Sequence, residues 1–160
     1  MKANRYKTYR KNRSLRLKNF DYSQILPYFV TICTKDEKPI LYDGLAEDIV
    51  SCLKELRVSH GFKLYVYCIM PDHIHLLLSP GDSGLGLSKI IQIFKSMTTR
   101  RYRANGAKDI LWQTYFYDHV VRREEDLNNI AKYILENPVR KGIVTDWQSY
   151  PFCGLIDGFD

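Results

Sequence analysis

His73-Ile74-His75 sets two imidazoles two residues apart. In an extended strand, residues i and i+2 project from the same face, so the two rings stand side by side. Neighbouring imidazoles can chelate one divalent metal and leave positions for a third protein ligand and for substrate oxygens. Ile74, Leu76 and Leu78 fall on the opposite face. That face is apolar throughout and suits a helix-packed core, leaving the histidines on the face the core does not claim. Taken alone, an H-x-H pair also describes two unrelated histidines on a half-exposed strand. A second set lies in Tyr133-Ile134-Leu135-Glu136-Asn137-Pro138. In a helix, Tyr133 and Asn137 are i, i+4 neighbours, at the edge of a stripe formed by Leu127, Ile130, Ala131 and Ile134. A phenol can be a nucleophile toward phosphorus, and an amide oxygen can ligate a metal. The same residues equally describe a boundary tyrosine and an asparagine near a helix end, and with 12 tyrosines in the chain any single one is a weak pointer.

Charge is distributed unevenly. The 160 residues hold 24 Lys+Arg and 18 Asp+Glu, a net +6. Residues 1–20 carry eight basic side chains and no acid, so the remaining 140 residues have 16 basic and 18 acidic groups, a net −2. An acid-free arm containing Lys7, Arg10, Lys11, Arg13 and Arg16, with Tyr6 and Tyr9 among them, points to nucleic-acid phosphates and some base stacking. A second basic cluster between Lys89 and Lys108 includes Lys95, Arg100 and Arg101. It is either a further phosphate contact or a solvated helix face.

The elements that must position these groups follow from periodicity. Tyr28 to Thr34 is dense in β-branched and aromatic residues and predicts a strand. Ile49, Leu53 and Leu56 predict a helix, started near Glu47 and Asp48 and ended by His60-Gly61. Phe62–Ile69 predicts a second strand, with Leu64 and Val66 facing one way and Tyr65 and Tyr67 the other. After the tight Met70-Pro71-Asp72 connection, His73–Ser79 is the third strand. Ile90, Ile91, Phe94 and Met97 mark a helix from Leu87 to about Arg103; Tyr117–Val121 reads as a fourth strand, and Glu124–Asn137 as a helix stopped by Pro138. The order β-α-β-β-α-β plus a last helix is the split βαβ plan: an α+β, ferredoxin-like antiparallel sheet with the first two helices on one face. Residues 1–20 form the arm and 21–160 one domain. No apolar run approaches the roughly 20 residues that span a bilayer, and the arm lacks the apolar segment of a secretory signal. The four cysteines have no C-x-x-C spacing and read as free thiols of a reducing compartment. The expected location is therefore cytoplasmic.

The ordered set of motifs resembles a known family. Met70-Pro71-Asp72-His73-Ile74-His75 resembles the histidine–hydrophobe–histidine (HUH) motif of single-tyrosine, IS200-like transposases. Leu111-Trp112-Gln113 and Tyr117-Asp118-His119-Val120-Val121-Arg122 are similar to the W-Q and D-H-x-x-R stretches of the REP-associated tyrosine transposases. Tyr133 to Arg140 resembles their catalytic helix, and Asp21-Tyr22-Ser23-Gln24 with Tyr28-Phe29-Val30-Thr31 resembles their opening. The resemblance implies an HUH nuclease domain acting on hairpin single-stranded DNA, as a monomer or homodimer. It also implies His73 and His75 as ligands of Mg²⁺ or Mn²⁺ and Tyr133 as the nucleophile. Where related transposases carry a glutamine as third ligand, this chain has Asn137, one methylene shorter.

Two other classes compete. A non-catalytic nucleic-acid-binding module on the same sheet needs exposed aromatics for stacking, for which Tyr65 and Tyr67 are the candidates. A metal-dependent hydrolase would act without a covalent step. No phosphate-binding glycine loop, dinucleotide fingerprint or serine-nucleophile elbow occurs.

Overall fold

The β-branched and aromatic run Tyr28–Cys33 forms strand β1, an interior strand of the sheet, in a computed structural model that describes residues 25–122 and 124–158. The other elements are α1 (Asp43–His60), β2 (Lys63–Ile69), β3 (His73–Ser79), α2 (Leu87–Ala104), β4 (Tyr117–Val120), α3 (Glu124–Leu135), α4 (Asn137–Arg140) and β5 (Cys153–Leu155). The sheet order is β4-β1-β3-β2-β5, antiparallel at every pairing. This is the expected split βαβ arrangement with one further edge strand.

Strand alternation divides the core into two layers. Tyr28, Val30, Ile32, Ile74, Leu76 and Leu78 pack with Ile49, Leu53 and Leu56 of α1 and Ile90, Ile91 and Phe94 of α2. Phe29, Val66, Cys68 and Leu77 pack with Ile130, Ala131, Ile134 and Leu135 of α3. The apolar stripe of α3 thus closes the second sheet face, the only way that stripe can leave water.

Three local expectations change. Helix α1 starts at Asp43, so Glu47 and Asp48 lie beyond its first turn. Its other end is as expected: Gly61 adopts φ 74°, and its N–H caps the carbonyl of Arg57. In β2 the register to β3 shifts between Leu64 and Val66, a bulge at Tyr65. Beyond it Tyr67 and Ile69 join the α1/α2 layer with Leu64, whereas Val66 joins the α3 layer. Finally, Pro138 does not stop the last helix. The chain breaks at Glu136 and resumes as α4, with proline in its first turn, where a missing N–H costs nothing.

Candidate active site

His73 and His75 open β3, opposite Cys33 and Thr31 of β1. Their ring centroids are 4.6 Å apart. Each ring is braced through Nδ1. His73 Nδ1 meets Asp72 Oδ1 at 2.5 Å, and His75 Nδ1 meets Thr31 Oγ1 at 2.9 Å. The Asp72 carboxylate can only accept, so His73 donates its Nδ1 proton and would present Nε2 to a metal; the Thr31 bond likewise occupies Nδ1 of His75 and leaves its Nε2 as the open ring nitrogen. Asp72 is itself fixed: its carbonyl accepts from the Thr34 N–H and hydroxyl, and the Met70 N–H donates to the His73 carbonyl. The histidines are not on an uncovered face, because α3 lies over it; they are only 2% and 7% exposed.

Tyr133, half-buried on α3, completes the group. Its ring lies 5.9 Å from that of His75 and 6.0 Å from that of Phe29, and Phe29 in turn lies 5.3 Å from His75. From α4, Arg140 places its guanidinium carbon 4.0 Å from the Tyr133 ring centroid and donates to the Tyr133 carbonyl at 2.6 Å. The tyrosine is therefore held from below by Phe29 and His75 and clamped by a cation. Asn137 is buried at the start of α4, beyond the helix break, rather than one turn further along a single helix.

Among the described residues no three His, Cys, Asp or Glu side chains come together as a metal site. The oriented donors are the two imidazoles, and Asn137 lies buried on α4. Such a set suits a divalent ion whose charge and remaining positions are taken up by phosphate oxygens and water.

Several contributors escape a reading of the sequence. Asp72 adjoins the motif, but its role depends on the turn. Thr31 and Phe29 become neighbours of the site only through the β1–β3 register, and Arg140 only because the chain bends at Glu136. Tyr117 shares the row of Thr31 and His75 across the sheet, on the same face. Burial first, then nearby Cys33 and Glu37, push its phenol pKa up.

The basic residues separate into distinct settings. Lys95 donates to the carbonyls of Gln113 (2.7 Å), Tyr115 (3.1 Å) and Thr114 (3.4 Å), and burial pulls its pKa down to about 8. Arg101 pairs with Glu55, and Arg100 is exposed. Lys7, Arg10, Lys11, Arg13 and Arg16 lie outside the described residues. Tyr67, a candidate stacking platform, is buried in the α1/α2 layer. The four cysteines are free thiols.

Residues 23–137 match the family model described as Transposase IS200 like. The chain belongs to the IS200-like transposase family. A Haemophilus influenzae protein provisionally named a REP-associated tyrosine transposase is 30% identical over 137 residues, covering 75% of this chain and 76% of the relative. The Escherichia coli REP-associated tyrosine transposase is 26% identical over 127 residues, covering 78% and 73%. A solved structure of a REP-associated tyrosine transposase bound to a REP hairpin superposes with a TM-score of 0.72 over 86% of this chain and 81% of that one. At 21% identity, that likeness shows the shared fold. The resemblance read from the motifs and the α+β sheet are both borne out. Among the described residues, no helix is long and apolar enough to cross a membrane.

Proposed function

We propose that this transposase-family chain cuts and rejoins hairpin-forming single-stranded DNA of the REP type through a covalent tyrosine intermediate. The observation that carries the reading is the approach of Tyr133 to the braced His73–His75 pair. Tyr133 Oη attacks the scissile phosphorus, forming a 5′-phosphotyrosine bond as the P–O3′ bond breaks. The phenol loses its proton in or before attack, and the departing 3′ oxygen gains one. A 3′-OH from another strand reverses the step, so joining needs no nucleotide cofactor.

Phe29 and Arg140 hold the Tyr133 ring in place, limiting the orientations Oη must search. His73 and His75, with Asn137 as third donor, are the residues that would hold Mg²⁺ or Mn²⁺. When bound, the ion polarises the phosphate oxygens and offsets their charge build-up. Asp72 keeps His73 in the required tautomer, and Thr31 holds the His75 ring in orientation. The arm residues Lys7, Arg10, Lys11, Arg13 and Arg16 supply phosphate contacts to the hairpin, and Arg100 contacts the single strand beside it; Lys95 and Arg101, engaged by the Gln113–Tyr115 carbonyls and by Glu55, add only their charge. The protein works in the cytoplasm at the nucleoid, as a monomer or homodimer.

The test is a denaturing gel of the protein incubated with an end-labelled hairpin single strand and Mn²⁺. Wild type gives a DNA adduct that survives denaturation, and Tyr133→Phe gives none. Cleavage that persists in Tyr133→Phe overturns the reading.

A further inference from the structure

Away from the histidines, α2 and residues 110–114 enclose an open groove of about 500 Å³. Lys95, Arg100 and Arg103 line it, together with Thr99, Gln113 and Ile110, and no carboxylate does. Arg100 and Arg103 are both exposed, and among the described residues neither forms an ion pair, unlike their neighbour Arg101. At i and i+3 they project along one face of α2. Ile110 is 60% exposed and Tyr115, just past the other end of the segment, 65% exposed. The wall opposite α2 is rigid: the Lys95 ammonium ties together three successive carbonyls, and the Gln113 N–H donates to the Cys33 carbonyl.

We infer that this groove binds the sugar–phosphate backbone of a single-stranded DNA segment, with Arg100 and Arg103 on successive phosphates and Ile110 and Tyr115 against sugars or bases. The inference rests on the same DNA-processing reading, and it adds a path for the strand. Cys33 is bonded to Gln113 on one side and faces His73 across β1–β3 on the other. Gln113 and His73 are therefore two strand spacings apart, about 10 Å. A strand leaving the groove would turn the sheet edge at Gln113 to pass from the α2 side toward the face that carries the histidines. A rigid, cationic groove with apolar rims suits a single strand, whose bases are free to stack. The chain's own acid-free arm, being cationic, is a poor occupant.

The test is fluorescence anisotropy across a salt series, using the full chain with oligothymidine of ten nucleotides and, separately, a blunt hairpin without tails. Each phosphate neutralised on a single strand contributes about −0.7 to the slope of log K against log salt. Arg100→Gln with Arg103→Gln is expected to weaken oligothymidine binding and flatten its slope by about 1.4. Hairpin binding is expected to stay unchanged, and a charge-matched Lys38→Gln, Lys89→Gln control to behave as wild type. Oligothymidine binding that matches the control, or is absent in wild type, overturns the inference, as does an equal loss on the blunt hairpin. Binding is read without cleavage, so failure of the Tyr133 chemistry leaves this result separately interpretable.

Discussion

Replacing Asp72 tests whether the histidine pair is oriented for a metal. Asp72 Oδ1 accepts from His73 Nδ1 at 2.5 Å, next to a ring that is almost wholly buried. A charge-assisted bond of this kind is roughly twice as strong as a neutral one, and loss of such an outer partner typically lowers metal affinity about 10–100-fold. That range corresponds to roughly 1.4–2.7 kcal/mol. Asp72→Asn keeps an acceptor in place but can also donate, so it no longer dictates which ring nitrogen is protonated. A loss near tenfold is expected. Asp72→Ala removes the partner and should approach the upper end. Isothermal titration with Mn²⁺ at low and high salt separates the effects: loss of a through-space carboxylate charge fades as the Debye length shrinks, whereas loss of tautomer control does not. Circular dichroism checks the fold. An unchanged Mn²⁺ affinity in Asp72→Ala, with the fold intact, refutes the brace.

Other consequences can be measured alongside. Thr31→Val removes the His75 Nδ1 partner while keeping the strand, so Mn²⁺ affinity should fall about tenfold with little change in Tm. Arg140→Ala should slow adduct formation at saturating DNA about 5–30-fold, as expected from losing roughly 1–2 kcal/mol of ring orientation, without abolishing it; single-turnover gels read this directly. A Cβ at Gly154 would sit 3.1–3.3 Å from the Tyr67 ring and hydroxyl, so Gly154→Ala should destabilise by roughly 1–3 kcal/mol; for a domain of this size that is about 2–4 °C of Tm per kcal/mol. The Arg57 guanidinium holds the Asp157 carboxyl below its usual pKa. Its stabilising effect is complete above the unfolded carboxylate pKa and is lost as pH falls through the lower folded value. Urea unfolding should therefore show a shallower acid decline in Asp157→Asn than in wild type.

What the sequence reveals tracks what local periodicity encodes. The period of two in His73–Ser79 places both histidines on one face, and the stripe through Ile130 and Ile134 leaves Tyr133 at its edge; both arrangements appear in the structure. What covers that face depends on tertiary packing, so the burial of His73 and His75 under α3 is invisible from the strand alone. The bulge at Tyr65 leaves alternating residue types intact yet reverses which of them share a face. β5 is three residues around a glycine, with too little β-propensity to announce itself; it pairs with β2 where Gly154 leaves room for the Tyr67 ring. Pro138 reads as a stop signal but is equally at home in the first turn of a new helix, and only the geometry at Glu136 decides between the two.

The most direct measurement is peptide mapping by mass spectrometry of the denatured adduct formed from wild type, hairpin DNA and Mn²⁺. The mechanism proposed for Tyr133 predicts one nucleotide-bearing peptide, with a 5′-phosphate ester on Tyr133. An adduct on Tyr117 or Tyr115, or cleaved DNA with free 5′-phosphates and no adduct, would contradict it.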